Sequence, residues 1–135
     1  MIIQDINLDT VMQIRHQVMW PERNESFVRI PQDAEAKHLG VLIDGRCVSI
    51  ISLFETPDGV QFRKFATLTS EQGKGYGSFL LRHVMATHVG QKIWCHARVG
   101  KQAFYEKFGL IVCSSPFEKA GKTYVRMEKK SASKV

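Results

Sequence analysis

Gln72-Gly73-Lys74-Gly75-Tyr76-Gly77 sets three glycines at alternate positions between two apolar runs, and this junction restricts the folds open to the chain most. Ahead of it, residues 62–68 read as a strand, with Phe62, Lys64, Ala66 and Leu68 on one face and Phe65 and Thr67 on the other. Behind it, Leu80, Leu81, Val84 and Met85 have helical spacing, which predicts a helix over residues 78–89 closed by Gly90. Glycines let a backbone turn sharply and bring several N–H groups to bear on one anion. The start of the helix adds unpaired donors and the positive end of its dipole. A strand, such a loop and a helix together form a phosphate cradle, although plain turns use glycine too. Two sharper phosphate motifs are absent: the glycines fall as G-x-G-x-G rather than G-x-G-x-x-G, and no G-x-x-x-x-G-K-[ST] occurs.

The segments leading to this junction read as antiparallel strands. Asp44-Gly45 lies between residues 38–43 and 46–54, both apolar and β-branched, a strong hairpin signal. Pro57-Asp58-Gly59 then turns the chain into a central strand at residues 60–68. Further upstream, residues 2–7 suit an edge strand. Asp9 or Thr10 would cap a first helix carrying Val11, Ile14 and Val18 and stopped by Pro21. Residues 26–36 read as a loop or short helix. Downstream, residues 91–97 form a strand, so strand, helix and strand imply a parallel crossover. Residues 101–109 read as a helix with Ala103, Phe104 and Phe108 inward, ended by Gly109. Two strands, residues 110–114 and 123–127, close the order. The fold class is mixed α/β with an antiparallel front half, a single domain over residues 1–130, and residues 131–135 are expected to fray.

A chain of 135 residues has room for a real core without staples. The N-terminus lacks the features of a signal peptide, and no apolar run is long enough to cross a bilayer. Cys47, Cys95 and Cys113 stand far apart in apolar contexts, as expected of reduced, buried thiols in a cytoplasmic protein. The net charge of +6 suits a polyanionic partner. The basic residues are dispersed and no nucleic-acid motif is present, so nucleic acid and membrane are set aside as partners.

With the flanking strand and helix in place, Gln72, Gly75 and Gly77 fit the pattern [RQ]-x-x-G-x-[GA]. That pattern resembles the acetyl-CoA loop of the GNAT family of N-acetyltransferases. A second segment also resembles the family: Phe104-Tyr105 followed by Gly109-Leu110, with Leu110 where Phe is usual. Many members carry Asn seven residues before this Tyr; here Arg98 stands in its place. The Trp20-Pro21 turn, the loop from Pro31 to Asp33, and His38 entering a strand are similar to a small bacterial subgroup of the family.

The resemblance implies an acyl-CoA N-acyltransferase fold, splayed between the strands at 62–68 and 92–97. It implies acetyl-CoA as co-substrate, a primary amine on a small molecule, protein or peptide as acceptor, and direct transfer in a ternary complex. The diphosphate would rest on amides of Gln72, Gly73, Lys74, Gly75, Tyr76 and Gly77. Backbone at Ala66, Thr67 and Leu68 would meet the thioester and pantetheine arm, with Arg98 nearby. Tyr105 would protonate the leaving thiolate. Candidates for removing the amine's proton are Glu55, His96, His38 and Glu25, and a water chain would also serve. Arg15, Arg23 and Glu25 are further candidates to face the acceptor. No His, Cys or acidic residues fall at metal-ligand spacings, so no metal is assigned. A contrasting reading is a GNAT-fold module that binds acyl-CoA or a partner without turnover. An edge strand near either terminus offers a route to a homodimer.

Overall fold

The computed structural model describes residues 1–129; the expected frayed tail at residues 131–135 lies outside them. The Asp44-Gly45 turn forms as anticipated, with φ of 50° and 80°. Such a turn matches the right-handed twist of its flanking strands. It joins β2 (Lys37–Ile43) to β3 (Arg46–Thr56), and β4 (Gly59–Thr67) continues the antiparallel run. β1 (Ile2–Asp5) pairs with β2 as the edge. β5 (Ile93–Arg98) lies parallel to β4, while β6 (Ile111–Val112), β7 (Phe117–Lys119) and β8 (Lys122–Lys129) complete one mixed sheet. Its order is β1-β2-β3-β4-β5-β8-β6, with β7 paired to β8.

Among the described residues, three α-helices accompany the sheet. α1 spans Leu8–Met19 and is capped by Asn7, whose side-chain oxygen accepts the Thr10 N–H at 2.9 Å. The sequence pointed instead to Asp9 or Thr10, which both fall within the first turn. α2 spans Tyr76–Thr87, starting two residues before the expected 78 because Gly75, at φ 89°, serves as its N-cap. α3 is shorter than anticipated, Gln102–Glu106, and exposes Ala103 while Phe104, Tyr105 and Phe108 pack on the core. Gly109 turns the chain at φ 89°, and Leu110 N–H returns to the Tyr105 carbonyl at 3.4 Å. β7 was not anticipated; it is three residues long and follows a polar Ser-Ser-Pro stretch. Cys95 is buried, but Cys113 is exposed, against the expectation of buried thiols.

The decisive irregularity is in β4. Ala66 pairs with Ile50 and Arg63 with Ser52, so β4 uses three steps where β3 uses two. This is a β-bulge, and Lys64 in it has φ 54°. Directly paired residues share a face, so the bulge inverts the alternation expected from sequence. Phe62 joins Phe65 and Thr67 on one face, and Ala66 joins Arg63 on the other. The Phe62 and Phe65 rings meet edge-on at 6.3 Å.

α2 begins on the Phe65 and Thr67 face. A Cβ at Gly77 would sit 3.4 Å from both Phe65 Cζ and Thr67 Oγ1, closer than most side chains are held. Leu80, Leu81 and Val84 of α2 are fully buried, which anchors the helix on the sheet. α1 covers the opposite face through Val11, Met12 and Ile14, and Arg15 reaches Ser52.

Beyond Val60–Ile93 and Gln61–Trp94, β4 and β5 no longer pair. β5 continues along β8 on its other side, from Ile93–Lys129 to Arg98–Tyr124. The sheet is therefore splayed on the C-terminal side of its only parallel pair among the described residues, as the family resemblance implied. No helix among the described residues is long and apolar enough to cross a membrane.

Candidate active site

The splay opens into a cleft of about 930 Å³. One wall is β4 from Gln61 to Thr67; the other is β5 at Cys95, His96 and Arg98. The glycine loop and the start of α2 close one end, and the end of α1 with the β7–β8 hairpin closes the other.

At the loop end, Gly73 and Gly75 have φ of 78° and 89°, and a Cβ on either would meet nothing within 4 Å. The backbone there is thus turned by conformation alone and left bare on its outer side. Phe79 N–H bonds the Gly75 carbonyl at 3.0 Å. The amides of Tyr76, Gly77 and Ser78, in the first turn of the helix, have no intrahelical carbonyl to meet. Around the loop, Gln72 Nε2 donates to the Thr67 carbonyl at 3.1 Å. Glu71 pairs with Lys74 at 3.1 Å and with Arg46 at 3.2 Å. The bond from Lys74 holds the Glu71 carboxyl below its usual range.

Just past the end of β4, Leu68 N–H is bonded to the Val48 carbonyl at 2.9 Å. Successive strand amides point to opposite edges, so Leu68 and Ala66 face β3 and Thr67 N–H faces the gap. Of the three positions expected to offer a donor there, the geometry selects Thr67. Ser49 braces it, its hydroxyl 2.9 Å from Thr67 Oγ1 and 3.2 Å from the Ala66 carbonyl.

Tyr105 lines the same gap, its ring 5.7 Å from Phe62 and 5.2 Å from Phe104. Burial pushes its phenol above the ordinary value, with Cys95 adding to the effect, so it stays protonated. Arg98 lies at the end of β5 on the cleft wall, exposed, with Lys101 beyond it.

Of the proton-acceptor candidates, only His96 reaches the cleft. Its ring lies between Trp94 and Phe117, at 5.4 and 5.0 Å. Burial lowers its pKa, and Lys119, Arg126 and Arg63 lower it further, which favours the neutral, proton-accepting form. Glu55 does not join it. It is exposed near the turn that ends β3, paired across to Val60, because β3 runs two residues past the apolar stretch. Glu25 borders a separate hollow between α1 and the β2–β3 hairpin.

His38 is buried and committed: Nε2 donates to the Asp33 carbonyl at 2.9 Å, and Nδ1 lies 2.7 Å from the Ser52 hydroxyl. Arg15 is wholly buried, forked onto Asp33 at 2.9 Å through both nitrogens. Arg23 is spread over Phe27 at 4.8 Å. None of these three faces the cleft. Trp20 does, while packing on the core.

The sequence reading missed the far wall, where Arg63, Lys64, Lys119 and Lys122 converge. Lys119 and Lys122 flank the Ala120-Gly121 turn, and a short alternating segment ending in Gly was the available signal. Among the described residues, no three His, Cys, Asp or Glu side chains gather as a metal would need.

Comparison with known proteins agrees with this geometry. The Acetyltransferase (GNAT) domain family matches residues 4–131. The chain is 29% identical over 131 residues to the uncharacterized N-acetyltransferase YitI of Bacillus subtilis (strain 168), covering 88% of each chain. The crystal structure of Escherichia coli ElaA superposes with a TM-score of 0.81 at 19% identity, over 96% of this chain and 99% of that one. An aminoglycoside 6'-N-acetyltransferase complexed with coenzyme A superposes at 0.76 with 16% identity, over 100% and 99%.

Proposed function

The chain belongs to the GNAT acetyltransferase family, and from that premise we propose that it moves an acetyl group from acetyl-CoA directly to a primary amine in a ternary complex. The observation that carries this reading is the parting of β4 from β5 below Gln61 and Trp94. It leaves the Thr67 edge of β4 free at the centre of a cleft that the bare glycine loop closes.

The residues present suit coenzyme A. Amides at Gly73 to Ser78 suit a diphosphate, as the unpaired start of a helix does. The open β4 edge suits the amides of a pantetheine arm, which need strand-like partners. Acetyl-CoA supplies the acetyl group as an activated thioester. Thr67 N–H is placed to donate to a carbonyl oxygen as negative charge develops on it. Tyr105, protonated and buried beside that edge, is the proton source for the departing sulfur. His96, neutral at pH 7, receives the amine's proton, directly or through water. The cations around it lower the pKa of a bound ammonium for the same reason they lower that of His96.

The test is incubation with acetyl-CoA and a panel of primary amines, reading free thiol and product mass together. Equimolar thiol and N-acetyl product are expected. Coenzyme A that binds while no amine is ever modified would overturn the transfer reading. Calorimetry with Gly75→Glu, checked for folding by circular dichroism, tests the cradle: a carboxylate there should abolish coenzyme A binding.

A further inference from the structure

The end of the cleft remote from the glycine loop gathers four cations among aromatic and apolar side chains. Arg63 and Lys64 stand at the β4 bulge, and Lys64 holds φ 54°, a conformation that L residues other than glycine, asparagine and aspartate adopt rarely. Lys119 and Lys122 face each other directly in the β7–β8 register. Like charges directly opposite in a sheet oppose its formation. The hairpin keeps that pair nonetheless, and both lysines line the cleft.

None of the four has a carboxylate within 4 Å among the described residues. Lys119 lies over the Tyr124 ring at 4.9 Å, Lys122 over Trp20 at 5.5 Å, and Arg63 over Phe54 at 5.6 Å. Of the described residues lining the cleft, only Glu71 is acidic, and it sits at the opposite end, engaged by Lys74 and Arg46. Burial lowers the pKa of Lys64, Arg63, Arg15 and Lys119 lower it further, and the more distant Asp33 offsets part of this. Burial and Arg63 do the same to Lys119. Four cations thus line one space with no carboxylate at ion-pair distance among the described residues; Asp33, engaged by Arg15, acts on Arg63 and Lys64 only from further away.

We propose that the acceptor is a small primary amine carrying an anionic group, a carboxylate or a phosphate, that seats among Arg63, Lys64, Lys119 and Lys122. The inference rests on the acetyl-transfer reading above and gives it a substrate class. An anion held there relieves the mutual repulsion of the four cations and leaves the amine toward His96 and Thr67. Polycationic amines meet like charge on entry, which costs specificity interfaces dearly. The wall would therefore exclude acceptors of the aminoglycoside type, which the similar solved enzyme is named for.

The experiment compares matched acceptors at saturating acetyl-CoA: amino acids, their methyl esters and the corresponding decarboxylated amines, with aminoalkyl phosphates against aminoalkyl alcohols. For the preferred pair, kcat/KM should be at least about tenfold higher for the anionic member. Whichever of the carboxylate and phosphate arms shows the larger ratio identifies the group. Lys119→Glu, on an exposed hairpin, should cut that ratio to near one and leave coenzyme A affinity by calorimetry unchanged; Lys122→Glu provides a second variant should the first fail to fold. Neutral or polycationic amines acetylated as well as anionic ones, or a ratio untouched by either variant, would overturn the proposal. Absence of coenzyme A binding or of any transfer would instead count against the acetyl-transfer reading.

Discussion

Two clusters of charge lie on β4 and its neighbours, and they are built on opposite terms. Beneath the sheet, Arg15 is fully buried yet satisfied, forked onto Asp33 and bonded to the Val28 carbonyl and Ser52 hydroxyl at 3.0 Å each. Asp33 in turn accepts the Ile30 N–H at 2.7 Å, and its backbone carbonyl anchors His38. Only Nε of Arg15 lacks a partner. In the cleft, Arg63, Lys119 and Lys122 lie over aromatic rings, and neither they nor Lys64 pairs with a carboxylate among the described residues. The first cluster closes on itself and ties α1, the 33–38 segment and β3 together. The second is incomplete without something from outside. Where a protein needs rigidity it pairs its buried charges, and where it needs a ligand it leaves them open.

The comparison breaks most readily at Asp33. Asp33→Ala would strand the Arg15 guanidinium in the core, and breaking a buried pair in this way costs about 3–5 kcal/mol. A loss below about 1 kcal/mol by urea unfolding would show that the network does not hold the fold. The same pair sets a pH dependence. Burial pushes the Asp33 carboxyl up, but the bonds from Arg15 and Ile30 outweigh it, and the net pKa is lowered. Since the folded value lies below the unfolded one, this contribution is present above the unfolded value of about 3.9 and fades as pH falls through the folded one. In Asp33→Asn the stability should therefore vary less with pH below about 4 than in the parent.

Tyr105→Phe comes next and concerns chemistry alone. Losing the proton donor should lower kcat by about 10²-fold or more, with coenzyme A affinity and melting temperature nearly unchanged. Equal turnover in the variant would remove Tyr105 from the mechanism. His96→Gln should have a smaller effect, around tenfold in kcat/KM, and should abolish the acidic limb of the pH profile. That limb lies below pH 6.5 in the parent, since the pKa of His96 is lowered. A limb that survives in the variant assigns the base to another group.

The smallest effect sharpens the contrast. Lys119→Gln with Lys122→Gln should leave unfolding free energy within about 0.5 kcal/mol of the parent, because the repulsion removed offsets the loss of their contacts with Tyr124 and Trp20. A loss of stability comparable with Asp33→Ala would mean that the two clusters serve the same purpose.

Much of this arrangement is written locally. Asp44-Gly45 dictates its own hairpin, since only such residues accept two successive positive φ values without a partner's help. The strand, glycine loop and helix at 62–89 are likewise set by residues adjacent in sequence, and so is the parallel crossover they imply. Tyr105 and the loop, which line the cleft, were legible as candidates because their spacing carries the resemblance to the family.

What tertiary structure alone decided concerns pairs distant in sequence. The bulge exists only because β4 must register against β3, and no local pattern in Phe62-Arg63-Lys64-Phe65 announces which residue will be extra. That single step turned Phe62 to the α2 face, put Lys64 at the bulge on the cleft wall and left Thr67, rather than Leu68, with the free amide. Glu55 lost its place for a similar reason, since where β3 ends is set by its pairing with β4. Arg15 and Asp33 meet across 18 residues, and Arg63 approaches Lys119 only when β7 folds back on β8. Backbone turns are fixed by the steric freedom of one or two residues, which a sequence displays directly. Charges meet through register and burial, which the whole sheet must form to define.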